Sequence, residues 1–319
     1  MSGPRRRVRA VTLVVMLIAW TIGVALGSSS GTAPAGASPA ILVGKVRAGF
    51  TPDPTGRRTI AILAVGSDAR PGQNPLRSRA DSLHVILLHP RKRQAVVVGI
   101  PRDSWVPIPG HGSSKINASL ALGGPSLLVR TVEHAFRLRI DYWALTTFRG
   151  IARMVDAVGG LKVRIPFRMH DRNAHSNFRP GLKRLRGMQV LAFARDRHSL
   201  ASGDFGRQEN GGRVFLAALT QFRDEYHDDP SRLLTWLGAG TRNMATDVPV
   251  PELVDLAFTA ATVSPGHVRN VVVPGRAGSV GSTSVVFLSM STARRLFDDA
   301  AIDGKLTRRN VPRSPTGHR

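Results

Sequence analysis

The strongest pattern along the chain is a series of short apolar runs separated by polar or glycine-rich joints. Residues 59–65 (TIAILAV), 82–89 (SLHVILLH) and 94–100 (QAVVVGI) carry no helical period and read as strands buried on both faces. The basic turn Pro90-Arg91-Lys92-Arg93 joins the second run to the third and predicts a hairpin. Gly123-Gly124-Pro125 then opens an amphipathic helix to Leu138, with Leu127, Leu128, Val132, Ala135 and Phe136 at helical spacing. A strand at 142–148, a helix at 151–158 stopped by Gly159-Gly160, and a strand at 161–165 follow. Beyond a polar, basic stretch at 167–186, helices are predicted at 188–194, 212–226, 231–237 and 250–263. Strands at 268–273 and 284–287 and a last helix ending at Ala301 complete the pattern, and no repeat is present. Alternating helices and apolar strands predict an α/β fold, a mixed central β-sheet with helices on both faces, in one domain over 58–303.

The two ends break this pattern. Residues 10–27 (AVTLVVMLIAWTIGVALG) are eighteen positions without an ionisable group, preceded by Arg5, Arg6, Arg7 and Arg9. A helix of that length rises about 27 Å, close to the roughly 30 Å of a bilayer core, and reads as a single transmembrane helix. The arginines place residues 1–9 in the cytoplasm and the rest of the chain outside the cell. A cleaved signal peptide is the alternative, since Ala35-Gly36-Ala37 offers the small residues that a signal peptidase accepts. Residues 28–57 begin SSSGTAPAGASP and read as a flexible stalk, and the Arg/Pro-rich 304–319 as a disordered basic tail.

Composition narrows the chemistry. The 319 residues contain no cysteine, which excludes disulfides, thiol nucleophiles and Cys-ligated metals. The formal charge is +24, and six of the 45 basic residues are lysine, so arginine dominates. Such a balance attracts polyanions, although the abundance of Arg, Ala, Gly and Val also matches a high-GC genome, so placement matters more than total. Nucleic acid is disfavoured, because no basic stretch interleaves aromatic side chains and the topology points outward. No H-E-x-x-H, P-loop or G-x-G-x-x-G occurs.

Acids and arginines crowd the ends of the apolar strands. Asp68 follows the first strand, Arg79 and Asp81 enter the second, Arg102 and Asp103 follow the third, and Lys115 and Asn117 come soon after. A later group holds Arg195, Asp196 and Arg197 and continues to Asp204 and Arg207. Strand ends of an open α/β sheet share a crevice, so these groups can converge. Two carboxylates suit a hard divalent cation such as Mg²⁺, and arginine forks suit phosphoryl oxygens. Taken singly, an Asp after a strand also serves as a turn residue and an Arg-x-Asp as a solvated pair, so spacing alone leaves phosphoryl transfer and a plain surface both open.

The strings VGSDAR (65–70), RSRADSLHVILLH (77–89), GIPRDSWVPIPGHGSSKINASLALGGP (99–125), TVEH (131–134), IDYWALTTFRGIARMVDAVGGLKV (140–163) and LAFARDRHSLASGDFGR (191–207) stand in order. In these the chain resembles the LytR-CpsA-Psr (LCP) family of membrane-anchored cell-wall glycopolymer transferases, in its actinobacterial form. After residue 219 the likeness rests on VVVPGRAG (271–278) and the strand and helix after it. The resemblance implies an α/β/α sandwich with a hydrophobic tunnel for a prenyl chain. It implies transfer of a glycan phosphate from a polyprenyl pyrophosphate carrier to a peptidoglycan hydroxyl, with Mg²⁺ as cofactor. Carried over by residue, Asp68 and Asp81 would hold the metal, and Arg79, Arg102, Arg195, Arg197 and Arg207 would grip phosphates. Asp103 would orient arginines, with Lys115, Asn117 and Asp204 in support. Many members place a glutamine four residues after the arginine matching Arg207, where this chain has Gly211. A pyrophosphatase on the same carrier, or a non-catalytic envelope protein that binds glycopolymer or lipid, are the competing functions.

Overall fold

The computed structural model describes residues 58–200 and 202–316, so the transmembrane segment and stalk expected at 10–57 lie outside the described residues. Among the described residues no helix is long and apolar enough to cross a membrane. The described part opens with β1 (Ile60–Ser67), β2 (Ala80–His89) and β3 (Gln94–Gly99), the three apolar runs of the sequence. The short pair β4 (Trp105–Pro107) and β5 (Ser113–Lys115) leads into helix α1 (Ala118–Phe136). Strand β6 (Tyr142–Thr147), helix α2 (Phe148–Ala157) and strand β7 (Leu161–Ile165) follow. The polar stretch folds as three strands, β8 (Met169–Asp171), β9 (Ser176–Phe178) and β10 (Gly181–Leu185). Helices α3 (Gly187–Arg195), α4 (Asp204–Asp228) and α5 (Arg232–Thr241) come next, then β11 (Met244–Thr246) and α6 (Val250–Thr262). Strands β12 (Val268–Val272), β13 (Gly275–Val280) and β14 (Thr283–Leu288) and helix α7 (Met290–Asp303) end the domain.

Six strands form the central sheet in the order β11-β6-β1-β2-β3-β12. It is mixed: β1 runs parallel to β6 and β3 parallel to β12, while the β1/β2, β2/β3 and β6/β11 pairs are antiparallel. Strand alternation divides the apolar runs between two layers. Leu63, Val65, Leu83, Val85, Leu87, Val96 and Val98 point to one face and pack with Leu128, Val132 and Phe136 of α1 and Leu296 and Phe297 of α7 into the main core. The alternate positions Ile86, Leu88, Ala95 and Val97 face Phe215, Leu216 and Leu219 of α4 and Leu256 of α6. Helices therefore cover both faces, as the alternation of elements predicts.

Three departures from the sequence reading have physical causes. Helix α1 begins before the Gly123-Gly124-Pro125 opening and bends there, with Gly124 at φ 69°, because Pro125 cannot donate to the preceding turn. Helix α4 begins at Asp204 rather than at residue 212, so Gly206, Gly211 and Gly212 lie inside it. The segment after Gly304, expected to be disordered, is placed as far as Thr316 by the buried Glu209. That carboxylate accepts from Ser314 Oγ (2.8 Å), Thr316 N (3.0 Å) and Thr316 Oγ1 (2.9 Å).

Candidate active site

The edge of the sheet at the end of β1 and the start of β2 organises the first charges. Ser67 pairs with Ala80, past a register shift, so Asp68 and Asp81 flank adjacent strand ends. Asp68 is tied to Arg79 twice: the Arg79 N–H donates to Asp68 Oδ1 (3.0 Å) and the Asp68 N–H to the Arg79 carbonyl (3.1 Å). The buried Asn117 links the next two segments through its backbone, donating to the Arg102 carbonyl (3.2 Å) and accepting from Ala80 N–H (3.3 Å). Arg102 is thereby brought against Asp81.

A chain of ion pairs through Asp81, Arg102, Asp103 and Lys115 results, with a separate pair on α4. Arg102 Nη1 meets Asp81 Oδ2 at 2.5 Å, Arg102 Nε lies 3.7 Å from Asp103 Oδ2, and Lys115 Nζ reaches Asp103 Oδ1 at 2.9 Å. In the first turn of α4, Arg207 Nη2 lies 2.5 Å from Asp204 Oδ1. That contact lacks the direction of a hydrogen bond, and both Asp204 carboxylate oxygens and Arg207 Nε and Nη2 are buried without hydrogen-bond partners. Burial works to lower the Arg102 pKa, but Asp81 first, then Asp103 and Asp204, outweigh it and hold the guanidinium more firmly charged. Arg207 shifts the other way, because burial and the neighbouring Arg102 exceed the pull of Asp204, Asp81 and Asp103. An arginine beside a second arginine, with donors unfilled in a buried setting, is costly to the empty fold and suits an incoming anion.

Arg195 ends α3, and Arg197 follows on the loop after it. Arg195 stacks over the Phe148 ring at 5.0 Å. The loop is held by two buried acids. Asp196 accepts from Ser176 Oγ (2.5 Å), Ser199 Oγ (2.9 Å) and Ser199 N (3.1 Å). Asp171 accepts the backbone N–H groups of Arg197 and His198, both at 3.0 Å, and meets His198 Nδ1 at 2.9 Å. Burial raises the Asp171 pKa, but these donors overcome it and hold the carboxyl well below its ordinary value. The side chains of Arg79 and Arg197 are exposed.

Behind the charges the second sheet face is not filled by packing. A cavity of about 410 Å³ is lined by Asp81, Arg195, Arg207 and Gln208 at its polar end and by Ile62, Ala64, Ile86, Ile151, Val190 and Val214 within. A second, of about 370 Å³, shares Ile62, Ile86, Ala144, Phe215, Ala218, Trp236 and Met244 with the first and continues between the sheet and α4, α5 and α6. Apolar voids of this size cost stability and are the usual form of a ligand pocket. The charges sit at one end of an apolar space, an arrangement suited to a molecule with an anionic head and a long hydrocarbon tail.

The structure thus joins Asp81, Arg102, Asp103 and Lys115 in one ion-pair chain, sets the Asp204–Arg207 pair within electrostatic reach of it, and puts Arg195 on the same cavity, with Asn117 in the supporting backbone. Asp68 anchors Arg79 beside them. Sequence reasoning gave no role to Asp171, Asp196, His84 or Asn270. Asp171 had a signal, being the single acidic residue between Asp156 and Asp196 in a strongly basic stretch. His84 had none. It lies within β2, fully buried, with Nε2 2.9 Å from the Gln208 carbonyl, Nδ1 3.3 Å from Ser82 Oγ, and its ring edge-on to Phe215 at 5.3 Å. Burial pushes its pKa down to about 4, against the opposing bond to Gln208 and with help from Arg207, so the ring is neutral and its Nε2–H donates.

The LytR_cpsA_psr family model matches residues 43–300. Over 170 residues the chain is 36% identical to the probable cell wall biosynthesis protein LcpB of Corynebacterium glutamicum, covering 50% of this chain and 41% of that protein. Over 161 residues it is 40% identical to the polyisoprenyl-teichoic acid–peptidoglycan teichoic acid transferase TagU of Bacillus anthracis, covering 50% of this chain and 52% of the relative. The chain thus spans about half the length of these relatives. Among solved structures, that of TagV from B. subtilis superposes with a TM-score of 0.65 at 24% identity, covering 76% of this chain and 96% of that one, and shows the same fold.

Proposed function

The chain belongs to the LytR_cpsA_psr family, and from that premise we propose that it is a phosphotransferase moving a glycopolymer phosphate from a polyprenyl pyrophosphate carrier to peptidoglycan. The observation that carries this reading is the Asp81–Arg102–Asp103–Lys115 and Asp204–Arg207 network opening onto the apolar cavity. The cavity would take the prenyl tail, and Arg102, Arg207 and Arg195 would hold the pyrophosphate at its mouth. The acceptor hydroxyl attacks the glycan-side phosphorus, the bond from that phosphorus to the bridging oxygen breaks, and polyprenyl phosphate leaves, its phosphate taking up the hydroxyl proton. Charge builds on the bridging and equatorial oxygens, where fixed guanidinium donors act without reorganising. The residues 10–27 would anchor the protein as a single pass, N-terminus inside and this domain outside, keeping the site near a carrier that stays in the bilayer.

The residues present fit a Mg²⁺ ion. Asp68 and Asp81 each commit one oxygen, to Arg79 N–H and to Arg102, and among the described residues no hydrogen bond reaches their other oxygens. No group of three or more His, Asp or Glu converges among the described residues, and Mg²⁺ needs none, since one or two carboxylates plus phosphate oxygens and waters suffice. Such an ion would neutralise charge on the pyrophosphate oxygens.

The test is incubation of the full chain in detergent with a synthetic prenyl pyrophosphate glycan, Mg²⁺ and peptidoglycan fragments, read by mass spectrometry. A glycan–phosphate–peptidoglycan product establishes the transfer. Free glycan phosphate with no conjugate makes the protein a pyrophosphatase instead, and unreacted donor that still binds makes it a lipid-binding protein.

A further inference from the structure

Two consecutive carbonyls in α4, directly after Arg207, are engaged by side chains of the sheet. His84 of β2 lies with Nε2 2.9 Å from the Gln208 carbonyl, and Asn270 of β12 donates Nδ2–H to the Glu209 carbonyl at 2.9 Å. Each donor occupies room that a helix side chain would take. A Cβ on Gly211 would lie 2.6 Å from His84 Cε1, and one on Gly212 would lie 1.8 Å from Asn270 Oδ1. Gly99 of β3 completes the seat, since a Cβ there would come within 2.9 Å of Gln208 Cβ. The three contacts come from β2, β3 and β12, neighbours in the sheet, and so set both the height of the helix and its rotation about its axis.

An interior helix carbonyl already accepts from the N–H four residues on, so the sheet donors are additional to what the helix requires. Their effect falls on the adjacent residue. Arg207 is rooted one position before the clamped Gln208 carbonyl, and its guanidinium lines the cavity with Nε and Nη2 buried and without hydrogen-bond partners. We propose that His84, seated in the space left by Gly211, is a positioning residue for Arg207, and that glycine at 211 is the condition for this clamp rather than a missing contact. What Arg207 grips rests on the phosphotransfer reading; its placement by His84 does not.

A pure packing role and a positioning role separate in two variants. His84→Leu fills the same space without a donor, whereas His84→Gln restores an N–H. The full chain in detergent micelles is examined without ligand, by the exchange of the Arg207 Nε–H with water in NMR, assigned by its loss in Arg207→Lys. It is then titrated by calorimetry with geranylgeranyl pyrophosphate and, separately, geranylgeraniol. In His84→Leu the exchange should quicken and the pyrophosphate affinity fall, each about tenfold as for one hydrogen bond, with the alcohol affinity unchanged. His84→Gln should recover most of both. Unchanged Arg207 exchange in His84→Leu overturns the proposal, as does an equal loss of both ligands or no recovery in His84→Gln. If the wild type binds the alcohol but not the pyrophosphate, the phosphotransfer reading fails, and the exchange rates still decide the role of His84. Should His84→Leu not fold, His84→Met, flexible enough to fill the same space, takes its place under the same criteria.

Discussion

Replacing Asp171 by asparagine should loosen the loop that follows α3 and carries Arg197 while leaving every arginine in the chain. The carboxylate is almost wholly buried, its side chain 2% exposed. Its Oδ2 accepts the Arg197 and His198 N–H groups, and Oδ1 accepts those of Asn173 (2.9 Å) and Ala174 (3.2 Å). Asparagine offers one oxygen, so whichever way it turns, its amide faces two backbone donors. Each buried donor left unpaired costs about 1–3 kcal/mol, and the pair about 3 kcal/mol after partial relaxation. In a domain of this size that lowers Tm by about 6–12 °C. The pH dependence has a fixed sign. The Asp171 pKa is lower in the folded chain than in the unfolded one, despite the opposing effect of burial, so its contribution is complete above the ordinary carboxylate range. It is lost as pH falls below about 4. The gap in Tm between wild type and Asp171→Asn, measured by calorimetry, should therefore be widest at neutral pH and narrow at pH near 3. A variant that melts within a degree of wild type at neutral pH, or a gap that grows in acid, would refute the account of Asp171 as the anchor of this loop.

Other consequences can be checked separately. Arg207→Lys keeps a charge but loses the planar fork, and should weaken geranylgeranyl pyrophosphate binding by about tenfold while sparing geranylgeraniol; equal affinities for wild type and variant would remove Arg207 from the phosphate site. Ala144 lines both cavities, so Ala144→Trp should abolish binding of the alcohol and the pyrophosphate alike, a block visible by calorimetry. The His84 ring, pushed down to about 4, is neutral in the fold and titrates near 6.5 when unfolded. Stability should be complete above about pH 6.5 and decline toward pH 4, by up to about 3 kcal/mol. Urea unfolding at pH 7 and pH 5 should show that decline, and His84→Gln should show less of it.

Much of the architecture was legible in the chain because it depends on local periodicity. The runs at 59–65, 82–89 and 94–100 are strands because an all-apolar run that short, lacking the helical period, is best buried in a sheet. The strand-end charges were legible for a similar reason, since residues at the ends of buried strands emerge where solvent or ligand can meet them. The start of α4 was not legible, because Gly206, Gly211 and Gly212 weaken a helix by propensity, and only their contacts with Leu200, His84 and Asn270 show why they are there. Gly211 looked like a gap in the site when read along the chain. Across the sheet it is the space for His84.

The sequence by itself determined which residues carry charge, which segments must be buried and the order in which strands and helices alternate, all properties of neighbours along the chain. The tertiary structure alone decided that Arg102 meets Asp81, that Arg207 stands with donors unfilled, and that Asp171 holds a loop 26 residues away in sequence. These pairings depend on strand register and on the distance of α4 from the sheet, which are set when remote segments pack together. The cavity belongs to the same class. An apolar residue such as Ile62 or Ile86 reads identically in a sequence whether a helix packs against it or a space is left open, and only the assembled layers decide between the two.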